Sequence, residues 1–171
     1  MEYDEVIRKR FSVRKFSQRE VGDDLLQKIL EAGNIAPTSK NSQPQRIFVL
    51  KSEESRNKLA NGCTPCIYKA PVTLLICHDS EVSIKRPADG LDIGETDTAI
   101  VTTHIMLAAA ALGLGTCWVG LITPERLKEE FSLPDNLIPH FLLHVGYPAE
   151  DCPLDPRHFI RKPLGETVEY L

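Results

Sequence analysis

The chain has 171 residues, 42% hydrophobic and 26% charged, with a formal net charge of −4 and a pI near 5.7. That is enough for one domain with a sizeable core, and the acidic balance argues against a general nucleic-acid binder, whose surface is usually basic. The N-terminal Met-Glu-Tyr-Asp-Glu is no secretory signal, and Asp97 and His104 interrupt the most apolar stretch, so no membrane span is expected. Five cysteines, an odd number without small-scaffold spacing, read as reduced thiols in a cytoplasm.

Tyr3–Lys9 reads as a short amphipathic helix. In Arg10-Phe-Ser-Val-Arg-Lys-Phe16 apolar and polar residues alternate, as in an edge extension with a basic face. Asp23 or Asp24 caps a helix carrying Leu25, Leu26, Ile29 and Leu30, which ends at Gly33-Asn34. Residues 36–44, Ala-Pro-Thr-Ser-Lys-Asn-Ser-Gln-Pro, can be neither helix nor central strand. They form a loop of small donors and acceptors, either a ligand-contacting segment or a solvated connector. Arg46–Lys51 reads as a central strand, Ser52 opens a polar helix to Ala60, and Pro71–Cys77 reads as a second, buried strand. His78–Gly94 is polar and reads as a mobile surface loop.

The stretch from Glu95 to Gly120 dominates the pattern. Thr96 or Asp97 serves as N-cap of a helix whose apolar surface, including Ile100, Val101, Ile105 and Leu107, extends nearly all round, so burial on every side is expected. Gly113 and Gly115 end it with a left-handed cap, and Thr116–Val119 follows as a short buried strand. Thr123 caps a further helix with Pro124 at its first position, running to Phe131. Phe141–Tyr147 is the fourth strand. The proline-rich tail 148–171 is too irregular to fold alone and carries Arg157, Arg161 and Lys162. Without a clean β-α-β period, these elements imply three layers, helices around a small mixed sheet.

A phosphate-binding P-loop is absent, and the glycines of the dinucleotide fingerprint would have to follow a strand, whereas here they follow a helix. Cys63-Thr-Pro-Cys66 is a CxxC pair, readable as a redox couple or half a zinc site, although the other cysteines are single. No Ser-His-Asp order is present. Basic residues near both ends, a loop of amides and hydroxyls, and a glycine turn with free amides together suit a ligand with an anionic phosphate and a flat polar ring.

From Ile7 to Glu169 the chain resembles the nitroreductase family of flavin enzymes. Four motifs carry the resemblance: Arg10-Phe-Ser-Val-Arg-Lys-Phe16, Ala36–Pro44, Ala109–Gly120 (Ala-Ala-Ala-Leu-Gly-Leu-Gly-Thr-Cys-Trp-Val-Gly) and Arg161-Lys-Pro163. The resemblance implies an α+β, three-layer α/β/α fold with a small mixed, mainly antiparallel sheet. It also implies an intertwined homodimer with two FMN molecules at the interface, the tail 148–171 packing on the partner subunit. The implied activity takes hydride from NADH or NADPH and passes electrons to nitro, quinone or related small acceptors.

By the same resemblance Arg10 and Arg161 clamp the FMN phosphate, with Ser12 nearby, using the bidentate geometry of guanidinium. Arg14 faces the pyrimidine edge of the ring, where a fixed cation tunes the cofactor. Pro37, Thr38, Ser39 and Asn41 reach the flavin of the partner subunit. Val119 precedes Gly120, whose amide points at the reactive flavin nitrogen, so no side-chain acid or base and no metal is required. The chain departs from the family pattern at Gln45, where many members have an aromatic residue, at Cys63 and Cys66, where some carry Asn and Lys, and in a short 78–94 loop. Those departures leave a second reading open, an FMN-binding protein without efficient turnover, beside the thiol or zinc module on Cys63 and Cys66.

Overall fold

The computed structural model describes residues 2–171. Its helices are α1 (Tyr3–Lys9), α2 (Asp23–Asn34), α3 (Glu53–Ala60), α4 (Gly94–Ala111) and α5 (Pro124–Phe131); its strands are β1 (Gln45–Leu50), β2 (Val72–Asp79), β3 (Gly115–Val119) and β4 (Leu137–Gly146). The strands form one sheet in the order β1-β2-β4-β3. Among the described residues every strand pair is antiparallel, and only the bridge Ser12–Thr116 adds a parallel element.

Side-chain alternation along β2 and β4 divides the core between the two sheet faces. Leu74, Ile76, Leu143 and Val145 point to one face and pack with Leu26 and Ile29 of α2 and Val101, Ile105 and Ala109 of α4. Leu75, Cys77 and Leu142 point to the other and pack with Leu59 of α3, Leu127 of α5, and Val13 and Phe16 of the N-terminal segment. Helices therefore cover both faces, which is why β2 is buried along its whole length and reads as a continuous apolar run. The three-layer α+β expectation holds.

Several local expectations change. The strand starting near Arg46 lies at the sheet edge, with β2 and β4 in the middle; β-propensity reports a pleated surface and says nothing of neighbours. Helix α4 starts at Gly94 with no side-chain cap, and Asp97, expected as a cap, is buried inside its first turn. Nor is α4 covered all round: Thr98, Val101, Thr102, Ile105 and Ala109 are buried, while Ile100, Thr103, His104, Leu107 and Ala108 are half-exposed and Ala111 is exposed. The buried threonines satisfy themselves along the helix, Thr102 Oγ1 donating to the Thr98 carbonyl at 2.7 Å. Of the two cap glycines only Gly113 is left-handed, at φ 79°, and Leu114 N–H bonds back to Ala109 O at 2.8 Å. Gly115 belongs to β3 and is a close-approach glycine, because a Cβ there would lie 2.6 Å from Val13 Cγ2. The polar 78–94 stretch starts later than expected: His78 and Asp79 end β2. The remainder folds back on itself through an isolated antiparallel bridge between Lys85 and Asp92.

Candidate functional site

Residues 10–16 run extended beside β3. Val13 N–H donates to Thr116 O at 2.8 Å and Ser17 N–H to Tyr147 O at 2.8 Å. The two-residue period sends Val13 into the core and sets Arg10, Ser12 and Arg14 on the outer side; a bend at Lys15 breaks the alternation and turns Phe16 inward as well. The tail folds against the same segment. Ala149 N–H donates to Lys15 O at 3.0 Å, Lys15 pairs with Asp151, and Phe11 meets His158 edge-on, centroids 6.5 Å apart. A cleft of about 310 Å³ opens between the two, lined by Arg10, Phe11, Ser12, Arg14, Asp155, Arg157, His158 and Arg161 among others.

The electrostatics of this cleft are those of an anion site. Burial first, and the neighbouring Arg161 second, push the Arg10 guanidinium below its ordinary value, so the two cations sense each other. Among the described residues neither forms a salt bridge; Arg161 Nη1 instead donates to His158 O at 2.6 Å and Ile160 O at 2.7 Å. Arg14 is arranged differently, with Nη1 3.5 Å from Asp155 Oδ2. Asp155 is held down to about 2 chiefly by its hydrogen bonds from Arg157, with Arg14 a smaller cause. The cleft thus pairs an uncompensated Arg10–Arg161 end beside the Ser12 hydroxyl with a compensated Arg14–Asp155–Arg157 end.

The other expected site residues lie apart from this cleft within one chain. Ser39–Asn41 forms a short 3₁₀ turn, and Lys40, Asn41 and Gln43 adopt left-handed backbone at φ 51°, 55° and 49°. Thr38 Oγ1 accepts from Gln43 N–H at 3.0 Å; Ser39 donates from both N and Oγ to Asp97 Oδ1 at 2.9 Å. Pro37 is exposed and Ala36 buried. Val119 ends β3 in the core, 4% exposed, and Gly120 follows on the surface, where an added Cβ would meet nothing within 4 Å. Asp155, Arg157 and His158 were not among the expected residues, although Asp155-Pro156 carries a legible signal of an N-capped turn: Asp155 Oδ1 accepts from Arg157 N–H at 3.0 Å.

Cys63 is fully buried in the core, and burial raises its thiol, which favours the unreactive protonated form. Cys66 is half-buried and carries no disulfide. Its carbonyl accepts at 3.0 Å from Nε2 of the buried His144, whose Nδ1 lies 2.8 Å from Thr73 Oγ1. The carbonyl requires a donor, so the proton is on Nε2 and Nδ1 accepts from Thr73. His140 Nε2 lies 2.5 Å from His78 Nδ1 in a stack tilted by 8°.

Burial lowers both His140 and His144 from the ordinary 6.5, with His78 adding to the effect on His140. The folded state disfavours their charged forms, so the unfolded chain binds more protons as pH falls past its own histidine values. Stability present above that point is then lost on acidification. The thermal midpoint of the protein is expected to fall steadily from about pH 7 to about pH 5, a window above the titration of ordinary carboxylates, and the slope is expected to flatten in His140→Gln/His144→Gln. An equally steep slope in the double variant would remove these histidines as its origin.

Comparison with known proteins decides what kind of chain this is. Residues 7–64 and 61–147 match the model of the nitroreductase family. The chain belongs to the nitroreductase family. A crystal structure of a nitroreductase family protein from Clostridium difficile 630 superposes with a TM-score of 0.92 at 42% identity, covering 99% of this chain and 98% of that one. A protein of Methanothermobacter thermautotrophicus, provisionally named an NADH dehydrogenase/NAD(P)H nitroreductase, is 33% identical over 153 residues, 86% of this chain and 78% of its own length. An FMN reductase [NAD(P)H] of Bacillus subtilis is 30% identical over 163 residues, 85% of this chain and 66% of that protein. In this nitroreductase Arg10, Ser12, Arg14 and Arg161 line one cleft within a single chain.

Proposed function

We propose that this nitroreductase-family chain is an FMN-dependent oxidoreductase that takes hydride from NADH or NADPH and, by ping-pong transfer, reduces a nitroaromatic, quinone or similar small acceptor. The observation that carries the reading is the Arg10–Arg161 pair, two guanidinium groups sharing a cleft with no carboxylate of their own. Such a pair favours a dianion as its occupant, and a flavin phosphate supplies one. Ser12 adds a hydroxyl at the same end, and Arg14 stands at the ring end. Gly120 supports the same reading, since the empty space around its α-carbon is used by nothing in the chain. Bound FMN supplies the hydride and electron chemistry. The chain's residues bind its phosphate, orient its ring and set the charge around it, without a side-chain acid or base. The reduced thiols favour a cytoplasmic protein, and no helix of the described residues is long and apolar enough to cross a membrane.

The deciding measurement is the visible spectrum of the purified protein, followed anaerobically. FMN absorbance that bleaches with NADH or NADPH and returns on adding a nitroaromatic or a quinone is the expected result. A protein that neither carries nor takes up FMN would refute the reading, and one that binds FMN but does not bleach would be the carrier without turnover.

An intertwined homodimer completes the proposal. The tail reaches its own chain's cleft as far as Arg161, but Phe159, Ile160, Leu164 and Tyr170 are 71%, 70%, 76% and 95% exposed. The half-exposed face of α4 and the edge of β1 are likewise uncovered, and an open strand edge is a liability that proteins cover. A two-fold contact burying more than about 2,000 Å² in total would cover all three. The loop around Ser39 would then reach the partner's flavin. Light scattering on the FMN-loaded protein is expected to give twice the chain mass at all accessible concentrations; a stable flavin-loaded monomer would contradict it.

A further inference from the structure

We infer that Asp97 is a positioning residue of the flavin site: through Ser39 it sets the conformation of the Pro37–Asn41 loop. The inference rests on the reading above that this loop meets a flavin. Asp97 is 1% exposed, in the first turn of α4. Its Oδ1 accepts from both Ser39 N and Ser39 Oγ at 2.9 Å, yet its Oδ2 is buried with no hydrogen-bond partner among the described residues. A carboxyl group in the core with half its capacity unused is a poor choice for stability alone. Thr98 and Thr102 beside it satisfy their hydroxyls within the helix, so the position does not demand an acid for packing. What the acid does achieve is a two-bond hold on one loop residue.

The loop needs such a hold. Lys40, Asn41 and Gln43 all adopt left-handed backbone, a conformation that non-glycine residues leave unless the surroundings enforce it. Thr38 closes the loop on Gln43, and Asp97 ties its middle to α4. The start of α4 is itself immobilised: Asp92 Oδ1 accepts from Gly94 N–H at 2.9 Å, and the His78 ring packs so tightly on Gly94 that a Cβ would lie 2.4 Å away. The loop is therefore mounted on a rigid part of the scaffold, as a binding loop must be to meet a planar ring without an ordering cost.

The test uses apoprotein of full length, titrated with FMN and followed by flavin fluorescence, with the thermal midpoint of each apoprotein measured alongside. Asp97→Ala is expected to weaken FMN binding about tenfold, Ser39→Ala by less because its backbone N–H still reaches Asp97, and the double variant no more than Asp97→Ala alone, because the hydroxyl bond is already lost with the acid. Asp97→Asn keeps an acceptor oxygen and is expected to restore most of the affinity. The apoprotein midpoint of Asp97→Ala is expected to change little, since relief from burying a half-satisfied acid offsets the loss of its two bonds to the half-buried Ser39. Wild-type affinity in Asp97→Ala, multiplying effects in the double variant, or a midpoint loss that parallels the affinity loss would each overturn the inference and leave the flavin reading standing. Failure of the wild-type apoprotein to bind FMN at all would instead overturn the flavin reading, and the inference with it.

Discussion

Replacing Arg10 and Arg161 by alanine is expected to release FMN. A hydrogen bond to a charged group contributes about 1.5–3 kcal/mol, and each ~1.4 kcal/mol is a factor of ten in a dissociation constant. Each single variant should therefore weaken binding roughly 10- to 100-fold, and the double variant by about a thousandfold or more. The ligand-free protein should respond in the opposite sense. Burial first and Arg161 second push the Arg10 guanidinium down; the second cause means that the cations repel, so removing one relieves that repulsion until an anion arrives. The thermal midpoint of Arg161→Ala apoprotein is expected to hold or rise while its stabilisation by FMN shrinks. Arg10→Lys keeps the charge and loses the planar fork, so it should fall between. Fluorescence titration together with melting curves, with and without FMN, checks all three expectations; an undiminished affinity in the double variant would remove the phosphate assignment.

For Arg14→Ala the expected change is in reactivity. If phosphate anchoring belongs to Arg10 and Arg161, Arg14 acts where charge develops on the reduced ring, and only an interaction stronger in the reduced state alters reactivity. The side chain is 42% exposed and shares its charge with Asp155 at 3.5 Å, so solvent and the carboxylate both discount it. A loss of about 1.4 kcal/mol corresponds to a fall of about 30 mV in a two-electron potential. Reduction by the nicotinamide cofactor should slow about tenfold even at saturating FMN. Asp155→Asn removes the partly neutralising charge and should move the potential upward. That pair of opposite signs is hard to obtain from a disturbance of folding. Spectroelectrochemistry of the FMN-saturated variants decides: an unmoved potential with weaker binding would make Arg14 another phosphate ligand.

Much of the architecture was legible because it is local. α1 and α5 fall where periodicity and Pro124 put them, and Ser52 caps α3 as read, its hydroxyl accepting from Ser55 N–H at 3.1 Å. The site was legible in the same measure. Arg10, Ser12 and Arg14 share a side because an extended segment alternates, which needs only the neighbours' identities. Asp97 shows where that reasoning stops. An acid near the start of an apolar helix looks like a cap, and only the packing of residues 36–44 against α4 turns it into an anchor for Ser39.

The amino-acid sequence by itself determined the approximate course of the main helices and strands, that β2 is apolar on both sides, and that basic side chains gather on one side of residues 10–14. Those features follow from backbone stereochemistry and side-chain period, and neither depends on distant partners. Only the tertiary structure decided that β1 is an edge, that α4 keeps one face uncovered, and that Arg161 arrives beside Arg10 while Asp155 arrives beside Arg14. The reason is that sheet order and the path of an irregular, proline-rich tail are set by which surfaces bury one another, and burial is a property of pairs far apart in the chain. A cation's role depends on whether a counter-charge reaches it, and residues 10 and 14, alike in sequence, part company there.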